Sequence, residues 1–121
     1  MKISLERAFE LKNEGKYLEA IEEIKDQIEN HGEDGSSTGL IALLYYIELK
    51  DPKSALPYAK KAVRLSPESE MASFCLTMCL KHLDRAEDID REIKRFVATG
   101  KKIDLYETLF EENNLKRENF S

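Results

Sequence analysis

The chain has 121 residues, of which 41% are hydrophobic and 36% charged, with a net charge of −5. That is enough for one domain, too evenly apolar for a disordered chain, and too acidic for a general nucleic-acid binder, which needs clustered Lys and Arg to meet phosphates. No stretch approaches the roughly 20 apolar residues of a membrane span, and MKISLERAFELKNEGK at the start has neither a continuous apolar run nor a cleavage signal.

In chain order, Ser4 is placed to cap a first helix over 5–14, with Leu5, Ala8, Phe9 and Leu11 as its apolar residues. Gly15 can end that helix in the left-handed conformation. A second helix over 18–30 puts Ala20, Ile21, Ile24 and Ile28 inward. Its outer face carries Glu19, Glu22, Glu23, Asp26 and Glu29, a pattern that first of all keeps a helix soluble. HGEDGSS, residues 31–37, is the clearest loop, with two glycines among small polar residues. Ser36 or Ser37 then caps a third helix over 38–50. This helix is apolar almost all round and is therefore expected at the centre of the domain.

Asp51 followed by Pro52 reads as an N-cap and first helical position, since proline there lacks only an N–H that would go unused. The fourth helix ends near Leu65, with Ala55, Leu56, Ala59, Ala62 and Val63 as its apolar stripe. Ser66-Pro67 is expected to stop it and to start a fifth helix over 67–83. That helix is rich in Met, Phe, Leu and Cys. Asp84-Arg85 stands in for a glycine turn, and a sixth helix over 86–98 turns Ile89, Ile93, Phe96 and Val97 inward. Thr99-Gly100 ends it. Asp104 can cap a last helix over 105–113, and residues 114–121 read as a polar, flexible tail.

Ala20 and Ala55 lie 35 residues apart, and Ile89 follows Ala55 by 34. A period of about 34 residues built from two antiparallel helices resembles the tetratricopeptide repeat. The residues that carry the resemblance are Ala8, Gly15, Tyr17 and Ala20 in the first copy, Tyr46, Ala55, Ala62 and Pro67 in the second, and Leu76 and Leu80 in the third. Ser4, Gly39 and Ser73 stand where the family often has a bulky aromatic early in the first helix. The expectation is an all-α superhelix of about three helix pairs over 1–113, with the last helix as a cap.

Motifs for chemistry are sparse. There is no phosphate-binding glycine loop, no HExxH, no CxxC and no GxSxG. Cys75, Cys79 and His82 recur at helical spacing and could present three soft ligands, yet a fourth is not evident, so no metal and no cofactor is expected. Two cysteines one turn apart have poor disulfide geometry and read as free thiols, which suits the cytoplasm. Lys53, Lys60, Lys61 and Arg64 form a small basic patch that reads as a solvated helix face, so no nucleic-acid role is expected.

Binding remains. In tetratricopeptide proteins the first helices of successive pairs line a groove. Carried over, those positions give Leu5, Phe9 and Lys12 from the first copy. The second copy gives Leu40, Leu44 and Ile47, and the third gives Phe74, Met78, Lys81 and His82. Leucine and phenylalanine replace the Lys and Asn cluster with which chaperone co-factors of the family clamp a carboxylate. The resemblance therefore implies an adaptor or chaperone that binds an amphipathic helix or extended segment of a protein partner, or a homodimer through the same face. The alternative is a cytoplasmic immunity protein that neutralises a basic toxin through Glu19, Glu22, Glu23 and Asp26, because opposite charge speeds association.

Overall fold

The structure, a computed structural model, describes residues 3–112 and 115–120. Among them are seven α-helices and no strand: α1 (Glu6–Asn13), α2 (Tyr17–His31), α3 (Gly35–Leu43), α4 (Pro52–Leu65), α5 (Glu70–His82), α6 (Ala86–Val97) and α7 (Asp104–Glu112). A π-turn (Leu44–Glu48) extends α3, and a 3₁₀ turn (Arg117–Phe120) follows α7. Short connections make α1/α2, α3/α4 and α5/α6 antiparallel pairs. No helix is long and apolar enough to cross a membrane.

The pairs share one turn. Gly15, Lys50 and Asp84 each end the first helix of a pair with positive φ, at 78°, 51° and 56°. The next N–H in each case reaches back to close the turn: Lys16 to the Leu11 carbonyl (2.8 Å), Asp51 to Tyr45 (2.8 Å) and Arg85 to Leu80 (3.0 Å). The turn residues are spaced 35 and then 34 apart, whereas the accepting carbonyls are spaced 34 and then 35 apart. The second pair therefore holds one extra residue between Tyr45 and Lys50. It is absorbed by the π-turn, where the Leu49 N–H bonds to Leu44 five residues back at 3.0 Å. Upstream of that point the first and second copies match at 34 residues, so Leu5, Gly39 and Phe74 are equivalent, and so are Phe9, Leu43 and Met78. The match of Gly39 with Ser4 and Ser73 is out by one position, because the extra residue lies after Gly39 and the 35-residue spacing holds only beyond it.

Helix starts follow side-chain chemistry, with four corrections. Asp51 caps α4 as expected, its carboxylate accepting from the Ser54 N–H at 3.1 Å, with Pro52 in the first turn. Leu5, not Ser4, precedes α1, and the Ser4 N–H donates to the Gln27 side chain at 3.0 Å. Asp34, not Ser36 or Ser37, caps the third helix by accepting from the Ser37 N–H at 2.7 Å, which starts that helix three residues early. Ser69 rather than Ser66 caps α5, accepting from the Ala72 N–H at 3.2 Å, and Pro67 lies in the turn before it. Last, Asp104, expected to cap the last helix, is instead the first residue of α7, and the first turn of that helix is satisfied from outside: Glu70 on α5 accepts from the N–H groups of Leu105 (3.0 Å) and Tyr106 (3.2 Å), placing negative charge at a helix N-terminus.

Three apolar clusters follow one another along the stack. Ala8, Leu11, Ile21, Ile24, Ile41 and Leu44 join α1, α2 and α3. Ala42, Ala55, Ala59, Ala62, Leu76 and Cys79 join α3, α4 and α5. Ile93, Phe96, Val97, Tyr106, Phe110 and Phe120 close the far end. The middle junction is built largely from alanines, which lets the helices approach closely, while the far end is aromatic. Phe120 is buried against Phe110, ring centroids 5.2 Å apart, so the expected flexible tail contributes one anchored side chain. Residues 113, 114 and 121, and with them the expected domain boundary, lie outside the described residues.

Candidate functional site

The first helices of the three pairs present a common face. One row across it is Leu5, Gly39 and Phe74, and the next is Phe9, Leu43 and Met78; Lys12 on α1 and Lys81 on α5 follow one turn further on. Phe74 fills the cleft between its helix and the following one: its ring lies 5.7 Å from that of Tyr106 on α7, inclined by 59°. Leu5 packs against the first cluster in the same way. Gly39 has no side chain to offer, and a cavity of about 370 Å³ opens there, between α3 and α5 with α1 at its edge.

Ala59 and Ala62 of α4 form its floor, Leu40, Leu43 and Cys75 its walls, and Phe9 its edge. A Cβ added at Gly39 would meet only the Ala62 methyl, at 3.8 Å. Phe9 and Met71, which borders the same cleft, are 46% and 50% exposed, a large apolar exposure for side chains beside an apolar cleft.

The groove residues read from the sequence divide. Leu5, Phe9 and Leu40 line the cleft. Leu44 does not: it is 1% exposed and belongs to the first cluster, and Leu43 holds the place assigned to it, for the register reason above. Ile47 projects from the π-turn, 53% exposed and outside the cleft. Phe74 is covered by α7. Met78 and Lys81 border a separate cavity of about 320 Å³ with Leu109 and Phe120. His82 leans on Tyr46, ring centroids 5.5 Å apart. Lys12 is half-buried at the end of α1. Gly39, Leu43 and Met71 were missed, and only the correct register could have found the first two.

On the acidic face Glu19, Glu22 and Asp26 are exposed and Glu23 is half-buried. Lys25 lies 3.5 Å from Glu22, and Gln27 donates to Glu23 at 3.3 Å, so part of this charge is met locally. The largest of these cavities, about 400 Å³, lies near α4 and α6 and is bordered by Lys60, Arg91 and Arg95. Two of those cations already face carboxylates, Arg91 with Asp88 at 3.2 Å and Arg95 with Glu92 at 2.7 Å.

A buried polar chain holds α7 in place. Ser73 donates to Glu92 at 2.5 Å, which uses its only proton. The Tyr106 hydroxyl, 2.6 Å away, must then donate to Ser73, and Thr77, 2.8 Å from Tyr106, donates to it in turn. Arg95 completes the chain with two hydrogen bonds to Glu92, at 2.8 and 2.7 Å. Burial pushes the Tyr106 phenol up to about 12, against which the Ser73 and Thr77 bonds act. The hydroxyls have places in a structural relay and none faces the Gly39 cleft.

Cys75 and Cys79 are free, buried thiols. The hydrogen bond between them, followed by burial, pushes the Cys75 thiol up, so it is held protonated and poorly nucleophilic. His82 is exposed and turned to Tyr46, away from a shared ligand position. No three His, Cys, Asp or Glu side chains converge among the described residues to hold a metal ion. Comparison with protein-family models found no match, and comparison with curated proteins found none.

Proposed function

We propose that this protein is a non-catalytic protein–protein interaction module, a small tetratricopeptide-like adaptor or chaperone that holds a segment of a protein partner on the face formed by α1, α3 and α5. The observation that carries this reading is the apolar cleft at Gly39, about 370 Å³ and bordered by the exposed side chains of Phe9 and Met71. A peptide-binding groove needs an apolar floor, close backbone access and adaptable side chains at its edge. Ala59, Ala62 and Gly39 supply the first two, and Met71, an unbranched and polarizable side chain, supplies the third.

The repeating turn at residues 15, 50 and 84 supports the tetratricopeptide-like reading, because it recurs at the family's period with the same hydrogen bond. The free thiols suit a reducing compartment, which we take to be the cytoplasm. An immunity protein acting through the outer face of α2 is less well supported, since Lys25 and Gln27 already meet part of that charge.

The test is capture from an extract of the native cells, followed by measurement with the purified partner. The reading expects a partner whose affinity falls at least tenfold in Phe9→Glu and is little changed in Glu19→Lys/Asp26→Lys. The reverse pattern, with strong salt dependence, would move the site to the acidic face.

A further inference from the structure

We infer that Met71, Cys75 and Cys79 form a site for copper(I) in the wall that α5 gives to the Gly39 cleft. The site is independent of the partner reading above. The three residues follow one another at intervals of four along α5, so they share one stripe of the helix, each a turn from the next. Met71 and Cys75 line the cleft, and Cys79 lies one turn beyond them. Their exposure falls in that order, 50%, 3% and 0%, so an incoming ion meets a flexible thioether first and two buried thiols behind it. The two thiols already touch through a hydrogen bond, and neither is held in a disulfide. Cβ atoms one helical turn apart are about 5–6 Å from each other, a span that two metal–sulfur bonds of about 2.3 Å can close.

The donor set selects the ion. Thiolate and thioether sulfur favour copper(I), whereas carboxylates and water suit the harder divalent ions. No carboxylate and no imidazole borders this cleft among the described residues. Structural zinc takes four ligands, and three sulfurs leave it one short. His82 does not make up the number, because it leans on Tyr46. Copper(I) is satisfied by fewer donors, and a thioether is a donor for soft metals that a search for His, Cys, Asp and Glu passes over. Ala42, Ala59, Ala62 and Leu43 surround the position with apolar atoms and keep water from the ion. Binding is a ligand exchange with no change of oxidation state. Copper(I) enters, both thiols release their protons to solvent, and two copper–thiolate bonds form, with a third bond from a thioether lone pair. The product carries one negative charge spread over two polarizable sulfurs.

Anaerobic titration of the reduced protein with copper(I) held by bicinchoninate tests this, because the indicator loses its colour as the protein takes the ion. The expected result is withdrawal of one equivalent by the wild type, with X-ray absorption at the copper edge showing copper bonded to sulfur alone. Outer partners of a metal are worth roughly 10–100-fold in affinity, so losing a direct thiolate in Cys75→Ala or Cys79→Ala weakens binding by more than about a hundredfold. Met71→Leu removes a sulfur at little change of volume and weakens it by about tenfold. Circular dichroism establishes that each variant is folded, and the absorption spectrum is read on the wild type, so it decides even where a variant unfolds. No withdrawal of copper, nitrogen or oxygen bound to the copper, or full retention by a folded Cys75→Ala/Cys79→Ala chain overturns the site. Met71→Leu binding as tightly as the wild type overturns the three-sulfur assignment.

Discussion

Gly39 and Phe74 occupy the same position in successive helix pairs, and only Phe74 fills the cleft beside it. Where Phe74 meets Tyr106 the stack is closed, and where Gly39 stands it is open by about 370 Å³. A glycine in a helix interior costs about 0.5–1 kcal/mol relative to alanine, so this one is retained at a loss of stability.

Filling the cleft should therefore stabilise the fold. Gly39→Leu removes the glycine penalty and places apolar atoms in a space where the nearest neighbour of a new Cβ is 3.8 Å away. The expected gain is about 1 kcal/mol in urea denaturation, from helix propensity and added burial. Gly35 provides the contrast. A Cβ there would lie 2.8 Å from the Ser66 Cβ, so Gly35→Ala should lose stability under the same conditions.

Leu44 and Phe9 should separate core from surface. Leu44 is 1% exposed, and Leu44→Ala is expected to cost about 2–5 kcal/mol, the usual loss for a buried leucine. Phe9→Ala removes a side chain that is 46% exposed and should cost about 1 kcal/mol or less, while weakening partner binding. Equal losses of stability would place Phe9 in the core.

The relay at Tyr106 makes stability depend on alkaline pH. The phenol ionises at about 12 in the folded chain and at about 10 in the unfolded one, so the folded state holds the proton more tightly between those values. Stability is full below pH 10 and falls as pH rises toward 12, by roughly 2–3 kcal/mol over the interval. Tyr106→Phe should lack this slope, and at neutral pH it should cost about 1–3 kcal/mol because Ser73 and Thr77 lose their partner. Denaturation curves of both chains from pH 8 to about 11.5 give the difference, which cancels the titration of the exposed lysines they share.

The two non-glycine turns invite a backbone test. Lys50 sits at φ 51°, a conformation that costs a side-chain-bearing residue about 1–2 kcal/mol. Lys50→Gly relieves this but gives the unfolded chain more freedom, leaving an expected gain of about 0.5–1 kcal/mol. Gly15→Ala should move the other way, since φ there is 78°. Chemical denaturation of the two variants checks the opposite signs.

Helix number, order and class were legible because each turn carries its own chemistry: Gly15, Asp51-Pro52 and Gly100 all stand at helix boundaries. Caps were less legible, because Asp34 and Ser37 compete over three residues and the backbone geometry decides between them. The register of the second pair was hidden. A spacing of 35 says that one residue is extra without saying where, and the π-turn at 44–48 has no sequence signal that distinguishes it from the apolar helix around it. That one position moved Leu44 onto the supposed groove and kept Gly39 from being matched with Phe74. The Ser73–Tyr106–Thr77 contacts were invisible for another reason. Their partners lie about thirty residues apart, so each residue alone looks like an ordinary polar or apolar helix position.

The most direct test of the open cleft is an amide-resolved NMR titration of the wild-type protein with indole, a small aromatic probe. An open cleft predicts shifts concentrated at Gly39, Leu43, Met71, Ala72 and Cys75, saturating together and abolished in Gly39→Phe. Shifts that are absent there, or that centre on Met78 and Leu109 in the cavity beside α7, would contradict the assignment of the Gly39 cleft as the binding site.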